Sequence, residues 1–316
     1  MAMAKRMRFG WESSRGGSDT LEELERRRDF ILQERDLRIV ESLGRYHYLD
    51  AALIGRMHFA DGVAVGAGQC GSAEKKAQTR MAKLFRVGLV QRAAISGRTK
   101  PRFVYVLDKL GVSLVDEGFP AGYGWRPPFM LANNKANPFH ELEVNRIALS
   151  LVEYARERGL YYEWVGSRDA YHRVRVNAPG SKPLIVEPDA VVVIGDHTLT
   201  VEYERSMHRT RLKGKLARWR AYQAMGAWRE KWPSRPTMLL VAEESRFRQD
   251  EGLARAEEMA GLLRLIRNDM TPRVVLAGAS CALTGEWLVV DPRVSGARER
   301  DLLTVLGEET GKEARG

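Results

Sequence analysis

Cysteine is nearly absent. The 316-residue chain has two, Cys70 and Cys281, far apart. Two distant thiols exclude a disulfide framework and a cysteine-ligated zinc cluster. Long hydrophobic runs are missing too: none approaches the ~20 residues that cross a bilayer. The basic N-terminus is followed by no apolar stretch of the secretory kind. The expectation is a cytoplasmic protein with no membrane partner. Histidine is sparse, six in all. His140, His172, His197 and His208 are scattered and read mainly as structural or exposed, with His140, beside Glu141 at a helix start, the best placed. Acids are scarce in two particular places. Residues 72–102 hold nine Lys/Arg against Glu74 alone, and residues 205–235 hold ten against Glu230 alone. These segments contribute +8 and +9 to a net +10, which leaves −7 for the rest. Charge of one sign gathered in this way is the footprint of a polyanion such as nucleic acid. The plainer alternative is a pair of solvated helix faces.

The remaining composition is ordinary, 44% hydrophobic and 29% charged, and the length suits two domains. Residues 1–28 read as a flexible tail entering a helix near Ser18 or Asp19. A helix is expected through RDFILQERDLRIVESLGR, with Phe30, Ile31, Leu37, Val40 and Leu43 at helical spacing and Gly44 as its stop. YLDAALIGRMHF is a second helix capped by Asp50, with Leu53, Ile54 and Met57 inward. After a Gly/Ala-rich loop, SAEKKAQTRMAKLFRVG is a third, capped by Ser72, with Met81, Leu84 and Phe85 as its apolar stripe. LVQRAAI and RFVYVLD follow as strands around the basic tip SGRTKP, a hairpin, and DKLGVSLVDE closes as a short helix. Three helices and a basic hairpin are the order of a winged helix-turn-helix, expected over residues 29–117. In that motif the third helix enters the major groove of duplex DNA. Lys75, Lys76, Arg80 and Lys83 on the third helix, with Arg98, Lys100 and Arg102 on the hairpin, are the expected DNA contacts. A dimerisation or protein-binding module is the alternative use of such a domain.

Residues 118–138 are rich in proline and glycine and lack periodicity, so they read as a linker. From residue 139 to 295 the order is a helix (HELEVNRIALSLVEYARERGL), strands, then alternating helix and strand. That pattern gives an α/β domain around a central mixed sheet. TMLLVAEE, RVVLAGAS and GEWLVVDP are expected strands, with GLARAEEMAGLLRLIRN a helix between the first two. Residues 296–316 read as a frayed C-terminal tail.

The chemistry lies in VEPDAVVVIGDHTLTVEYERS. Asp189 opens one apolar strand, and Glu202 and Glu204 sit two apart in the next, hence on one face. A tight turn between the strands brings the three carboxylates to one edge. Crowded like charges repel unless neutralised. A hard cation such as Mg2+ or Mn2+, taking one or two carboxylates with water and phosphate, would do so. Alternatively, Glu202 and Glu204 form ion pairs with Arg205, Arg209 or Arg211. Lys215 falls on the apolar stripe of the following helix with Leu212, Leu216, Trp219 and Tyr222. It therefore either snorkels or meets the acids. Lys213 points to solvent.

EPDAVVVI, LTVEYERS and LKGKLARWRAY, preceded by HELEVNRIAL and a winged helix, resemble the replication-relaxation family of plasmid and mobile-element proteins, over roughly residues 36 to 241. The resemblance implies a second domain of the PD-(D/E)XK nuclease fold and a role in plasmid replication or DNA relaxation. Pro188 and Asp189 match its PD, and Glu202 its second acid. Glu204 stands where a lysine is usual. Either that lysine has moved to Lys215 or catalysis has been lost. Glu141 or Glu143 matches an acid that some members carry on the first helix. The resemblance thus implies Asp189, Glu202, Glu204, Lys215 and Glu141 as catalytic candidates, with the first three as metal ligands. The leading expectation is a metal-dependent endonuclease or nickase acting on double-stranded DNA, which Arg209 and Arg211 also contact. A non-catalytic replication accessory or transcriptional regulator is the alternative. No small-molecule cofactor is expected, and a homodimer stays open.

Overall fold

The structure is a computed structural model and describes residues 12, 20–26, 30–60, 70–95, 102–118, 138–176, 180–204, 209–242, 274–278, 288–289 and 300–306. The chain divides into two compact units, residues 1–142 and 143–316. It is mixed α and β, with a mixed five-stranded sheet in the second unit.

The first unit begins with α1 (Leu21–Arg26) and α2 (Glu34–Tyr46). The expected helix from residue 29 starts later. Asp36 bends back to accept the backbone N–H of Gln33 at 2.7 Å, so the helix is capped there. Phe30 precedes it and is buried, whereas Ile31 and Leu37 are 78% and 42% exposed. The buried stripe is instead Ile39, Val40 and Leu43, with Asp36 among them. Gly44 does not end the helix. A Cβ there would lie 3.3 Å from Val115, and the chain turns at His47, whose φ is 65°.

Then come β1 (Leu49–Asp50) and α3 (Ala51–His58), where Asp50 accepts the N–H of Leu53 at 2.9 Å as the expected N-cap. α4 (Cys70–Arg86) starts at Cys70, before the expected cap Ser72. Its Ala73, Ala77, Met81 and Leu84 are buried at helical spacing, while Phe85 is half-buried. At the α3–α4 crossing a Cβ on Gly55 would lie 2.9 Å from the backbone of Ala73 and Glu74. Only glycine allows helices that close.

β2 (Val90–Ile95) and β3 (Arg102–Leu107) pair antiparallel from Val90↔Leu107 to Ile95↔Arg102. β1 joins the other edge of β3 through Leu49↔Tyr105. α5 (Lys109–Gly118) closes the unit. The hairpin tip with Arg98 and Lys100, and residues 119–137 of the expected linker, lie outside the described residues.

The unit boundary falls within α6 (Pro138–Glu157). The second unit continues with β4 (Tyr162–Gly166), the short α7 (Ser167–Ala170), β5 (His172–Val174), β6 (Leu184–Val186), β7 (Ala190–Ile194) and β8 (His197–Glu204). It then forms α8 (Arg209–Ala224), β9 (Thr237–Ala242) and β10 (Val274–Gly278). The large sheet has the order β10-β9-β8-β7-β4. β4–β7–β8 is antiparallel and β8–β9–β10 parallel. β8 is central and buried from Thr198 to Tyr203 although its residues alternate polar and apolar, while the neighbouring β7, buried throughout, is an apolar run without alternation. β5 and β6 form a separate antiparallel hairpin.

On one face of the sheet, Val191, Met238 and Leu240 pack with Leu212, Leu216, Trp219 and Tyr222 of α8. The hairpin's Val174 and Val186 join the same cluster. The expected strand at GEWLVVDP is the two-residue β11 (Leu288–Val289), which pairs with β12 (Arg300–Asp301). The frayed tail is overturned for residues 300–306: Leu302, Val305 and Leu306 are buried, and the Tyr154 hydroxyl donates to Asp301 at 2.7 Å. Apolar residues at 302, 305 and 306 give this segment a helical stripe of its own. The expected helix at residues 252–268 lies outside the described residues.

Candidate functional site

The β7–β8 turn at residues 195–196 sets the register Ala190↔Val201. Continuing that register places Asp189 opposite Glu202, on the face that α8 covers. The N–H of Asp189 donates to Val201 O at 3.1 Å. Its carboxylate accepts the N–H of Tyr203 at 2.8 Å. Asp189 therefore extends the ladder one step past the end of β7, where β8 would otherwise present an unpaired donor.

Glu202 is 1% exposed, Glu204 10% and Lys215 14% at the side chain. The Lys215 ammonium donates to Glu202 Oε2 at 2.6 Å and to Glu204 Oε1 at 2.9 Å. One helical turn on, Trp219 Nε1 donates to Glu202 Oε1 at 3.1 Å. The i, i+2 spacing of the glutamates and the i, i+4 spacing of Lys215 and Trp219 both aim at one point. Lys215 therefore meets the acids rather than snorkelling to solvent.

The electrostatics are unbalanced. Burial pushes the Glu202 carboxyl up to about 7, and the Asp189 charge adds to it against the pull of Lys215 and Trp219. Burial alone would lower the Lys215 ammonium, but Glu202, Asp189 and Glu204 together hold it above its ordinary value. Three carboxylates around one ammonium leave negative charge in a site from which water is largely excluded.

Excess charge on hard oxygen donors fits a divalent cation, for which two carboxylates suffice. The three acids gather around Lys215 but do not form a three-residue metal set, however. Among the described residues no group of three His, Cys, Asp or Glu side chains could hold a metal ion. Asp189 with Glu202 is the smaller donor set that remains. Glu141 engages the His47 imidazole at 3.2 Å within the first unit, and Glu143 pairs with Arg146. Sequence reasoning missed Trp219 as a donor to Glu202. Its position one turn after Lys215 was the available signal.

The expected DNA contacts of the first unit separate into two kinds. Lys75, Lys76 and Lys83 of α4 are exposed. Arg80 turns inward, donates to both Asp36 oxygens and to Ile31 O at 3.0 Å, and stacks on Phe30. The Arg102 side chain is 58% exposed and lies 3.8 Å from Asp50. Arg209 and Arg211 open α8, and their side chains lie outside the described residues.

A family model described as Replication-relaxation matches residues 40–233, more than half of the chain. The match spans α3, α4, the hairpin of the first unit, and the second unit through α8. No curated protein and no solved structure matches the chain.

Proposed function

Because the chain belongs to the replication-relaxation family, we propose that it acts on DNA in the replication or relaxation of a plasmid, phage or other mobile element. It docks duplex DNA through the first unit and cuts it at the acid–lysine centre of the second. The observation that carries this reading is the Lys215 ammonium, 2.6 Å from Glu202 and 2.9 Å from Glu204. A lysine delivered by the following helix occupies the role left open where Glu204 replaces the usual lysine. Docking rests on three helices followed by a hairpin, with Lys75, Lys76 and Lys83 exposed on the third long helix. Such cations meet phosphate and base edges in the major groove.

Asp189 and Glu202 would hold Mg2+ or Mn2+. When bound, such an ion activates water and stabilises the charge of an in-line phosphoryl displacement. Lys215 supplies positive charge to phosphate oxygens as negative charge builds on them. Glu204 holds the ammonium in place, and Trp219 fixes the Glu202 carboxylate. Asp189 is oriented by its bond to the Tyr203 backbone.

A second reading keeps DNA binding without cleavage. It is favoured by the hydrogen bonds already made to both Glu202 oxygens and by the 1% exposure of that side chain. Lys215 then neutralises buried charge and nothing more. Nicking of supercoiled plasmid, with and without Mg2+ or Mn2+, decides between them. The expected result is metal-dependent relaxation by the wild type, lost in Asp189→Ala with DNA binding intact. Binding without nicking would establish the second reading. Nicking that survives in Asp189→Ala would remove Asp189 from the mechanism.

A further inference from the structure

Two stretches of the second unit contain no acid. Residues 172–186 hold Arg173, Arg175 and Lys182, and α8 holds six cations. They are remote in sequence, and the fold joins them. Val174 and Val186 of the β5–β6 hairpin share one buried cluster with Leu212, Leu216 and Trp219 of α8. Apolar positions face the joint. Arg173, Arg175 and Lys182 of the hairpin segment and Lys213 and Arg218 of α8 are exposed.

Lys215 is the cation of α8 seen to turn inward to the acids. Among the described residues the carboxylates at the border include Glu187, exposed, and Glu230, which meets His172 at 3.7 Å. Cations gathered on one packed joint repel each other and gain most from a polyanion that spans them. The chain leaves β6 at Val186 and reaches Asp189 three residues later. The basic surface thus leads into the acid–lysine centre.

We infer that the exposed face of the β5–β6 hairpin and α8 is a second binding site for the DNA phosphate backbone, separate from the cations of α4. It rests on the reading that the protein binds DNA, and it assigns the hairpin the task of holding the strand beside Asp189.

The test is binding of the full-length chain to a labelled duplex, by fluorescence anisotropy across a salt series. Two variants alter the site: Arg173→Gln with Arg175→Gln on the hairpin, and Lys213→Gln with Arg218→Gln on the helix. A third, Lys75→Gln with Lys76→Gln and Lys83→Gln, alters the first unit. Each pair in the second unit should flatten the log–log dependence of affinity on salt by about two, since each lost phosphate contact removes ~0.9. Thermal midpoints should stay at the wild-type value, because all four side chains are exposed. Either pair alone carries the test if the other disturbs folding. Wild-type affinity and salt dependence in both pairs, with both lost in the α4 variant, would overturn the second site and leave docking through the first unit standing. No salt-dependent binding by the wild type would overturn both.

Discussion

In each unit a cation of a basic helix is seen to turn inward, and the two cations meet different surroundings. In the first unit Arg80 meets, among the described residues, one carboxylate, Asp36. It donates to both oxygens, and it also meets a carbonyl and an aromatic ring. In the second unit Lys215 is shared between Glu202 and Glu204, and Asp189 adds its charge to theirs. The first arrangement is one charge against one charge with fixed geometry. It pins α4 to α2, and Asp36 also caps α2. The second leaves negative charge over, and a site with charge left over can take another cation. A basic helix therefore says little by itself. The acids that its inward cation meets separate a fastening from a candidate centre.

Breaking the balanced pair should have the largest effect. Asp36 is fully buried, so Arg80→Met leaves a buried carboxylate whose charge is unpaired and which keeps the Gln33 N–H bond, at a cost of ~3–5 kcal/mol in chemical denaturation. The double variant Arg80→Met with Asp36→Leu should recover much of that, since apolar replacement of a whole buried pair is often neutral. A single-variant loss below ~1 kcal/mol would place Arg80 among weak surface pairs instead.

The unbalanced centre should respond in the opposite sense to loss of an acid. The Glu202 carboxyl is raised from 4.5 to about 7 by burial and by Asp189. A carboxyl with a raised folded pKa holds its proton more tightly when folded. Its contribution is therefore fully present below the unfolded value and is lost as pH rises through the folded one. Glu202→Gln should gain stability relative to the wild type as pH increases from about 4.5 to about 7. Parallel melting curves across that window would show a charge that is already balanced.

The smallest effect sharpens the contrast between inward and outward cations. Lys83→Ala should change stability by no more than ~0.5 kcal/mol. It should lower the salt slope of duplex binding by about one. An unchanged slope would remove Lys83 from the DNA interface.

Much of this was legible in the sequence, because the positions concerned obey a period. Asp50 as a cap, the strands on either side of SGRTKP, and the stripe of Leu212, Leu216, Trp219 and Tyr222 follow from local rules, and the same stripe left Lys215 two choices, solvent or the acids, of which the structure shows the second. What escaped depends on contacts far apart in the chain. Arg80 read as a DNA contact because its partner Asp36 lies 44 residues away. The helix expected from residue 29 begins at Glu34 because a long-range fastening and a local cap meet at Asp36. The β5–β6 hairpin escaped because its strands are three residues each, too short to show alternation. The burial of Leu302, Val305 and Leu306 escaped because a charged sequence around a short apolar stripe resembles a tail.

The most direct test of the account is a calorimetric titration of the wild-type protein with Mg2+ and Mn2+, beside Asp189→Asn and Arg80→Met. The unbalanced centre predicts saturable heat from the wild type, lost in Asp189→Asn and kept in Arg80→Met wherever that variant remains folded. Absence of saturable binding in the wild type would contradict it. Lys215 would then complete the centre as Arg80 completes its own.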